Sequence, residues 1–243
     1  QRVMARIPEK GFGFWTLTFL VVANMIGAGV FTTSGFTLAS LGDPWIVLLA
    51  WFVGGLVALC GAFSYGILIQ RMPASGGEYV FLSRAVHPFA GFMAGWISLL
   101  AGFSGAIAFA AVALESYLPG DFPAKLPAVG VVVLGAALHG GRRWLGVGVQ
   151  NTAVILKLLL LGIFLGWGAT SIDWGSDSTR SFQTEGGFLA FAQALVWISL
   201  SYSGFNAAVY VAGEATSPLI VARALVTGTA VVVLLYLLLN AAF

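Results

Sequence analysis

"MIGAGVF", residues 25–31, lies inside an apolar stretch that runs from 14 to 41 without a charged residue. That stretch is long enough to cross a bilayer core, which takes about 20 helical residues. Yet Gly27 and Gly29 stand near its middle, where each glycine costs a helix roughly 1 kcal/mol relative to alanine. Close packing is one reading, since glycines let neighbouring helices touch, and this stretch alone leaves it open. The other reading is an unwound helix. Irregular backbone at membrane depth is tolerated only where it is buried in protein or lines a cavity. There the freed N–H and C=O groups can bind a substrate. The N-terminal end of the following half-helix also carries partial positive charge, which suits a carboxylate.

The rest of the chain supports a membrane setting. Of its 243 residues, 59% are hydrophobic and 8% are charged, against roughly 45–50% and about 25% in soluble domains. Mean hydropathy is +0.97. An integral membrane protein follows from composition alone. The net charge of +2 gives no footing for a nucleic-acid partner. The lone cysteine, Cys60, lies in an apolar run, forms no disulfide within the chain and reads as a small buried residue. The N-terminal "QRVMARIPEK" is short and basic, and the apolar run behind it is too long for a signal peptide.

Seven apolar segments can be drawn: 14–41, 45–69, 88–118, 126–138, 145–169, 187–215 and 222–243. The fourth is short, and the third and sixth are long enough that tilt or breaks are expected. Strand-type alternation is absent, which argues against a β-barrel. With the N-terminus in the cytoplasm, Arg2, Arg6, Lys10, Arg71, Arg84, Arg142, Arg143 and Arg223 fall inside, and Lys125 and Arg180 fall outside. That asymmetry sets the expected orientation. The pairs Gly91/Gly95 and Gly162/Gly166 read as close helix packing.

An unwound first helix calls for a partner. Transporters built from inverted repeats carry discontinuous helices at corresponding places in their two halves. The sixth segment supplies one in "SLSYSGFN", residues 199–206, where Ser199, Ser201, Ser203, Gly204 and Asn206 are poor material for a lipid-facing helix. Four segments separate the two candidate breaks. That spacing suits a first repeat of five helices over 1–170 and the start of a second over 171–243.

Five stretches then carry a resemblance: "IGAGVF" in segment one, "RMPASGGEYVF" after segment two, "GFMAGW" opening segment three, "LGVGVQNTAVILK" in segment five and "SYSGFNAAVYVAGE" in segment six. In this order they cover nearly the whole chain, and together the chain resembles the amino acid–polyamine–organocation (APC) superfamily of secondary transporters. The resemblance implies an all-α integral membrane fold of inverted repeats, similar to the leucine transporter, with helices one and six broken. It implies amino acid or related amine substrates and no cofactor. The N–H groups of Gly27, Ala28 and Gly29 would bind the substrate carboxylate. Carbonyls around Met25, Ile26, Leu200, Ser201 and Ser203 would hold the ammonium group, with Gly204 in the same break. Gly105 and Ala106 would face the pocket from helix three, and Tyr202, Phe205 and Glu214 would serve gating. Some relatives have serine at the position of Ala28, and several have a bulky aromatic at Leu200. The resemblance also implies a fold of about twelve spanning helices. The sequence starts with Gln and stops inside the apolar "LLLNAAF". The expectation is therefore a fragment of a longer transporter that lacks most of the second repeat.

Lys157 lies twelve residues from Leu145 and twelve from Ala169, near the bilayer midplane. A lysine there costs about 2.5–3.5 kcal/mol on insertion scales. The resemblance sharpens its role: some sodium-independent members carry a lysine at this place, where its ammonium stands in for sodium against freed carbonyls of helix one. A proton lost from it could couple transport to pH. The resulting expectation is a sodium-independent amino acid transporter, proton-linked or exchanging, in the plasma or inner membrane. Its partners are a small-molecule substrate and the lipid bilayer, with the oligomeric state open. The competing class is a non-transporting sensor or scaffold subunit of the same fold, which needs neither matched breaks nor a midplane lysine. No paired-carboxylate, Ser/His or metal-ligand constellation points to an intramembrane enzyme.

Overall fold

The computed structural model describes residues 11–27, 29–120, 122–141, 143–171 and 187–242. Regular structure among them is helical, apart from one isolated parallel bridge between Phe12 and Ala215. In chain order the helices are α1 (Phe14–Met25), α2 (Gly29–Leu41), α3 (Pro44–Arg71), α4 (Gly77–Ala85) and α5 (Pro88–Ile97). A π-helical stretch (Ser98–Gly105) then runs into α6 (Ala106–Tyr117), followed by α7 (Leu126–Gly141), α8 (Arg143–Ser171) and α9 (Gly187–Ser201). A 3-10 helix (Ala207–Glu214) precedes α10 (Pro218–Ala242).

Local chemistry explains several starts. Proline is favoured at the first helical position, where its missing N–H costs nothing. Pro44, Pro88 and Pro218 each open a helix, and each follows a side chain that caps it. Asp43 accepts from the Trp45 N–H at 2.7 Å, His87 Nδ1 from the Phe89 N–H at 3.2 Å, and Ser217 Oγ from the Ile220 N–H at 3.3 Å. The helices Pro44–Arg71, Pro88–Tyr117 and Pro218–Ala242 are each long and apolar enough to span a membrane, and the bent pair α1–α2 makes a fourth candidate.

The described chain divides into two compact units: Gln1–Phe81 with Phe164–Phe243, and Leu82–Ile163. The first holds α1, α2, α3, α9, the 3-10 helix and α10. Its centre is the antiparallel pair α3–α10, which close-packed glycines draw together. A Cβ added at Gly55 would lie 2.7 Å from Val233 Cγ1, and one at Gly66 would lie 3.3 Å from Ala222 Cβ. On the far face of α10, Gly228 admits α1, since an added Cβ would lie 2.8 Å from that of Val21. Elements from both expected repeats, α1–α3 and α9–α10, thus share one core. The second unit is built on α5, the π-helical stretch, α6, α7 and most of α8. It packs largely through the contact of α6 with α7.

Two packing expectations fail. An added Cβ at Gly162 or Gly166 would meet nothing within 4 Å. These glycines lie on a face of α8 that no described element covers. Cys60 is exposed, because its face of α3 is turned from both α9 and α10.

Candidate functional site

The first helix is interrupted. After Met25 the backbone of Ile26 turns extended, with φ −76° and ψ 103°. The helix resumes at Gly29, and the axes of α1 and α2 differ by 46°. Ala28 lies outside the described residues. The sixth segment is interrupted as well. Helix α9 stops at Ser201, residues 202–206 form turns, and the chain continues as 3-10 helix. The 3-10 geometry is itself interrupted at Val211, with φ −112° and ψ 16°, which leaves two short pieces within the usual run of about 3–4 residues.

The two interruptions meet. Gly204 has φ +100°, and a Cβ built on it would lie 2.8 Å from the Asn24 carbonyl oxygen and 3.2 Å from the Met25 nitrogen. The backbone of the second break therefore rests directly on that of the first, and only glycine fits. Across from it stands Tyr236 of α10, fully buried. Its hydroxyl donates to the Met25 carbonyl at 2.7 Å, with the Ser201 carbonyl 3.3 Å away. Both are carbonyls that the breaks release from helical pairing. Ser201 Oγ donates to Thr33 Oγ1 of α2 at 2.9 Å, and a Cβ on Gly29 would sit 3.4 Å from Ser201 Oγ. Behind this knot Trp51, Tyr202 and Tyr236 stack edgewise or tilted, with centroids 5.1–5.6 Å apart. The Tyr202 hydroxyl donates to the Trp51 carbonyl at 3.1 Å.

Among the expected site residues, Met25, Ile26, Gly27, Gly29, Ser201 and Gly204 thus share one neighbourhood, and Gly27 is exposed at its bend. The Leu200 side chain is exposed, and its carbonyl accepts from both the N–H and Oγ–H of Ser203, at 3.1 and 2.7 Å. Tyr202 is locked in the aromatic stack, and the Phe205 ring packs on Tyr65 at 5.8 Å. Glu214 is exposed, and its backbone carbonyl accepts from the Phe12 N–H at 2.8 Å. Asn24 bonds within its own helix, to the Leu20 carbonyl at 2.9 Å. Gly105 and Ala106, where the π-helical stretch meets α6, belong to the second unit, as does the half-buried Lys157 of α8. Among the described residues no group of three or more His, Cys, Asp or Glu side chains is placed to hold a metal ion.

Tyr236, Thr33 and Trp51 escape a reading of the sequence. Tyr236 and Trp51 stand in ordinary apolar runs and Thr33 among other hydroxyls in "FTTSGFT", and their roles arise only when α2, α3 and α10 close around the breaks. The one available signal is a lone hydroxyl, Tyr236, inside "VVVLLYLLLN".

An all-helical membrane chain with two interrupted segments in backbone contact falls within the class of integral membrane proteins built on discontinuous helices. A model of the amino acid permease family matches residues 12–243, and the chain belongs to that family, in keeping with the resemblance to the APC superfamily. It is 27% identical to the mouse "large neutral amino acids transporter small subunit 2", over 86% of this chain and 42% of that protein. It is 26% identical to the serine/threonine exchanger SteT of Bacillus subtilis, over 96% of this chain and 54% of that protein. With the arginine/ornithine antiporter of Latilactobacillus sakei the identity is 35%, over 66% of this chain and 35% of that protein. The chain spans about half the length of the curated relatives it matches.

Proposed function

We propose that the protein carrying this sequence is a secondary transporter of amino acids or related amines that works by alternating access, within an inverted-repeat fold like that of the leucine transporter. The observation that supports it most is the contact of the two breaks, with Gly204 on the Asn24–Met25 backbone and Tyr236 shared by the Met25 and Ser201 carbonyls. In lipid an unpaired backbone group costs several kcal/mol, so two adjacent interruptions at a membrane span need a reason. An amino acid zwitterion supplies one. Its carboxylate suits the positive end of the half-helix that begins at α2, and the proposed binders are the N–H groups of Gly27, Ala28 and Gly29. Its ammonium suits carbonyls of Met25, Ile26, Ser201 and Ser203, and Leu200 shapes the wall, because its own carbonyl already serves Ser203.

In this reading Lys157 couples transport to protons. Phe205 and Glu214 gate the path, while Tyr202 anchors the second break. The relatives named as exchanger and antiporter support a sodium-independent, exchanging or proton-linked mode. The test is uptake of a labelled amino acid panel into proteoliposomes holding the native protein, with and without a proton gradient and with and without amino acid inside. Saturable uptake of at least one amino acid is expected. Binding without any uptake or exchange would point to a sensor or scaffold.

A further inference from the structure

One carboxylate stands close to the second break without a part in the site just described. Glu78 lies in the first turn of α4, after Gly76 and Gly77, whose φ values of +123° and +54° turn the chain. Its half-buried carboxylate accepts three hydrogen bonds. Oε1 takes the Tyr65 hydroxyl of α3 at 2.8 Å and the side-chain amide of Asn206, and Oε2 takes the Tyr210 hydroxyl. Asn206 ends the turn of the second break, and Tyr210 lies on the 3-10 helix beyond it. The same loop is fastened twice more. Ser75 Oγ accepts from the Gly213 N–H at 2.8 Å, and the Tyr210 ring covers Gly77, where an added Cβ would lie 2.8 Å from Cε1.

The turn at 202–206 has no continuous helical ladder to hold it. On one side Gly204 and Tyr236 pin it to α1 and α10. On the other, the side chain of its last residue, Asn206, is held by Glu78. An ionised carboxylate only accepts, with room for about four donors, and its hydrogen bonds are roughly twice as strong as neutral ones. It is the side chain best fitted to gather three donors from two elements.

We propose that Glu78 is a positioning residue of the amino acid site: by holding Asn206 and Tyr210 against α3 it fixes the second break, and so the aim of the carbonyls at 201–203, without touching substrate. This rests on the reading of the two breaks as an amino acid site. Glu78→Gln preserves the contacts, because the amide oxygen accepts from Tyr65 and Asn206 while the Tyr210 hydroxyl turns to accept from the amide N–H. Glu78→Ala removes them all.

The experiment measures Kd for a labelled amino acid, together with the ligand-free melting temperature, on the native protein and on Glu78→Ala, Glu78→Gln, Asn206→Ala and the Glu78→Ala/Asn206→Ala double variant. Glu78→Ala and Asn206→Ala should each raise Kd about tenfold, which corresponds to about 1.4 kcal/mol. The double variant should be no worse than the poorer single one, since the two share a contact, and Glu78→Gln should stay within about threefold of the parent. Parental Kd in Glu78→Ala, even with a lowered melting temperature, overturns the inference. So does parental Kd in Asn206→Ala, should Glu78→Ala not fold. A parent that binds no amino acid of the panel refutes the underlying reading of the site instead.

Discussion

At the scale of single residues, two positions decide whether the breaks stay joined. Gly204 combines φ +100° with an approach to Asn24 that leaves no room for a Cβ. Gly204→Ala therefore meets both backbone strain and overlap, each worth about 1–3 kcal/mol. Its melting temperature should fall clearly below the parent's, and its amino acid binding should weaken with it. Tyr236→Phe keeps the aromatic stack but leaves the buried Met25 carbonyl without its donor, at a cost of about 1–3 kcal/mol. Hydrogen exchange resolves where that cost falls: amides at 25–27 and 201–204 should exchange faster, while those in the middle of α3 stay protected. Uniformly faster exchange along α3 would show instead that Tyr236 supports the core as a whole.

At the scale of elements, the sequence showed where helices lie but not how they touch. The breaks were legible because Gly27, Gly29 and the run of serines around Gly204 disagree with a lipid-facing helix, and such a disagreement is local. The helix starts at Pro44, Pro88 and Pro218 follow equally local rules. Packing partners were not legible. Gly162 and Gly166 carry the same small-xxx-small spacing as other packing glycines, yet Gly54, Gly55, Gly66 and Gly228 are the ones against which α9, α10 and α1 close. A spacing motif records which glycines share a helix face, and the tertiary fold decides which face is used. This contrast can be measured. Gly228→Val forces its side chain into Val21 and should destabilise by about 1–3 kcal/mol. Gly162→Ala meets open space inside a helix and should be neutral or stabilising by up to about 1 kcal/mol. Equal destabilisation of both in thermal unfolding would contradict the packing described for α1 and α10. Tyr236, Thr33 and Glu78 were beyond reach for the same reason, since their roles depend on contacts between segments far apart in sequence.

At the scale of the whole molecule, α1, α2, α3, α9 and α10 share one core, and in the proposed transport cycle its two half-helices are held or released. Transport then needs a device that senses state, and Lys157 is the proposed one. Lys157→Ala should leave membrane insertion intact, because a costly charge has been removed, yet abolish net uptake into proteoliposomes. Lys157→Arg should fail too, since a guanidinium is larger and keeps its proton. Uptake by Lys157→Ala at the parental rate would make the lysine a bystander. The central claim, that the two breaks form a single amino acid site, is tested most directly by equilibrium binding of a labelled amino acid to the native protein and to Gly29→Leu. At Gly29 an added Cβ would lie 3.4 Å from Ser201 Oγ, so a leucine side chain fills the space between α2 and α9 where carboxylate and N–H groups would meet. The account predicts folded Gly29→Leu protein with binding lost by at least about a hundredfold, the equivalent of about 2.7 kcal/mol. Binding by Gly29→Leu as tight as the parent's would show that the glycines of MIGAGVF serve packing alone.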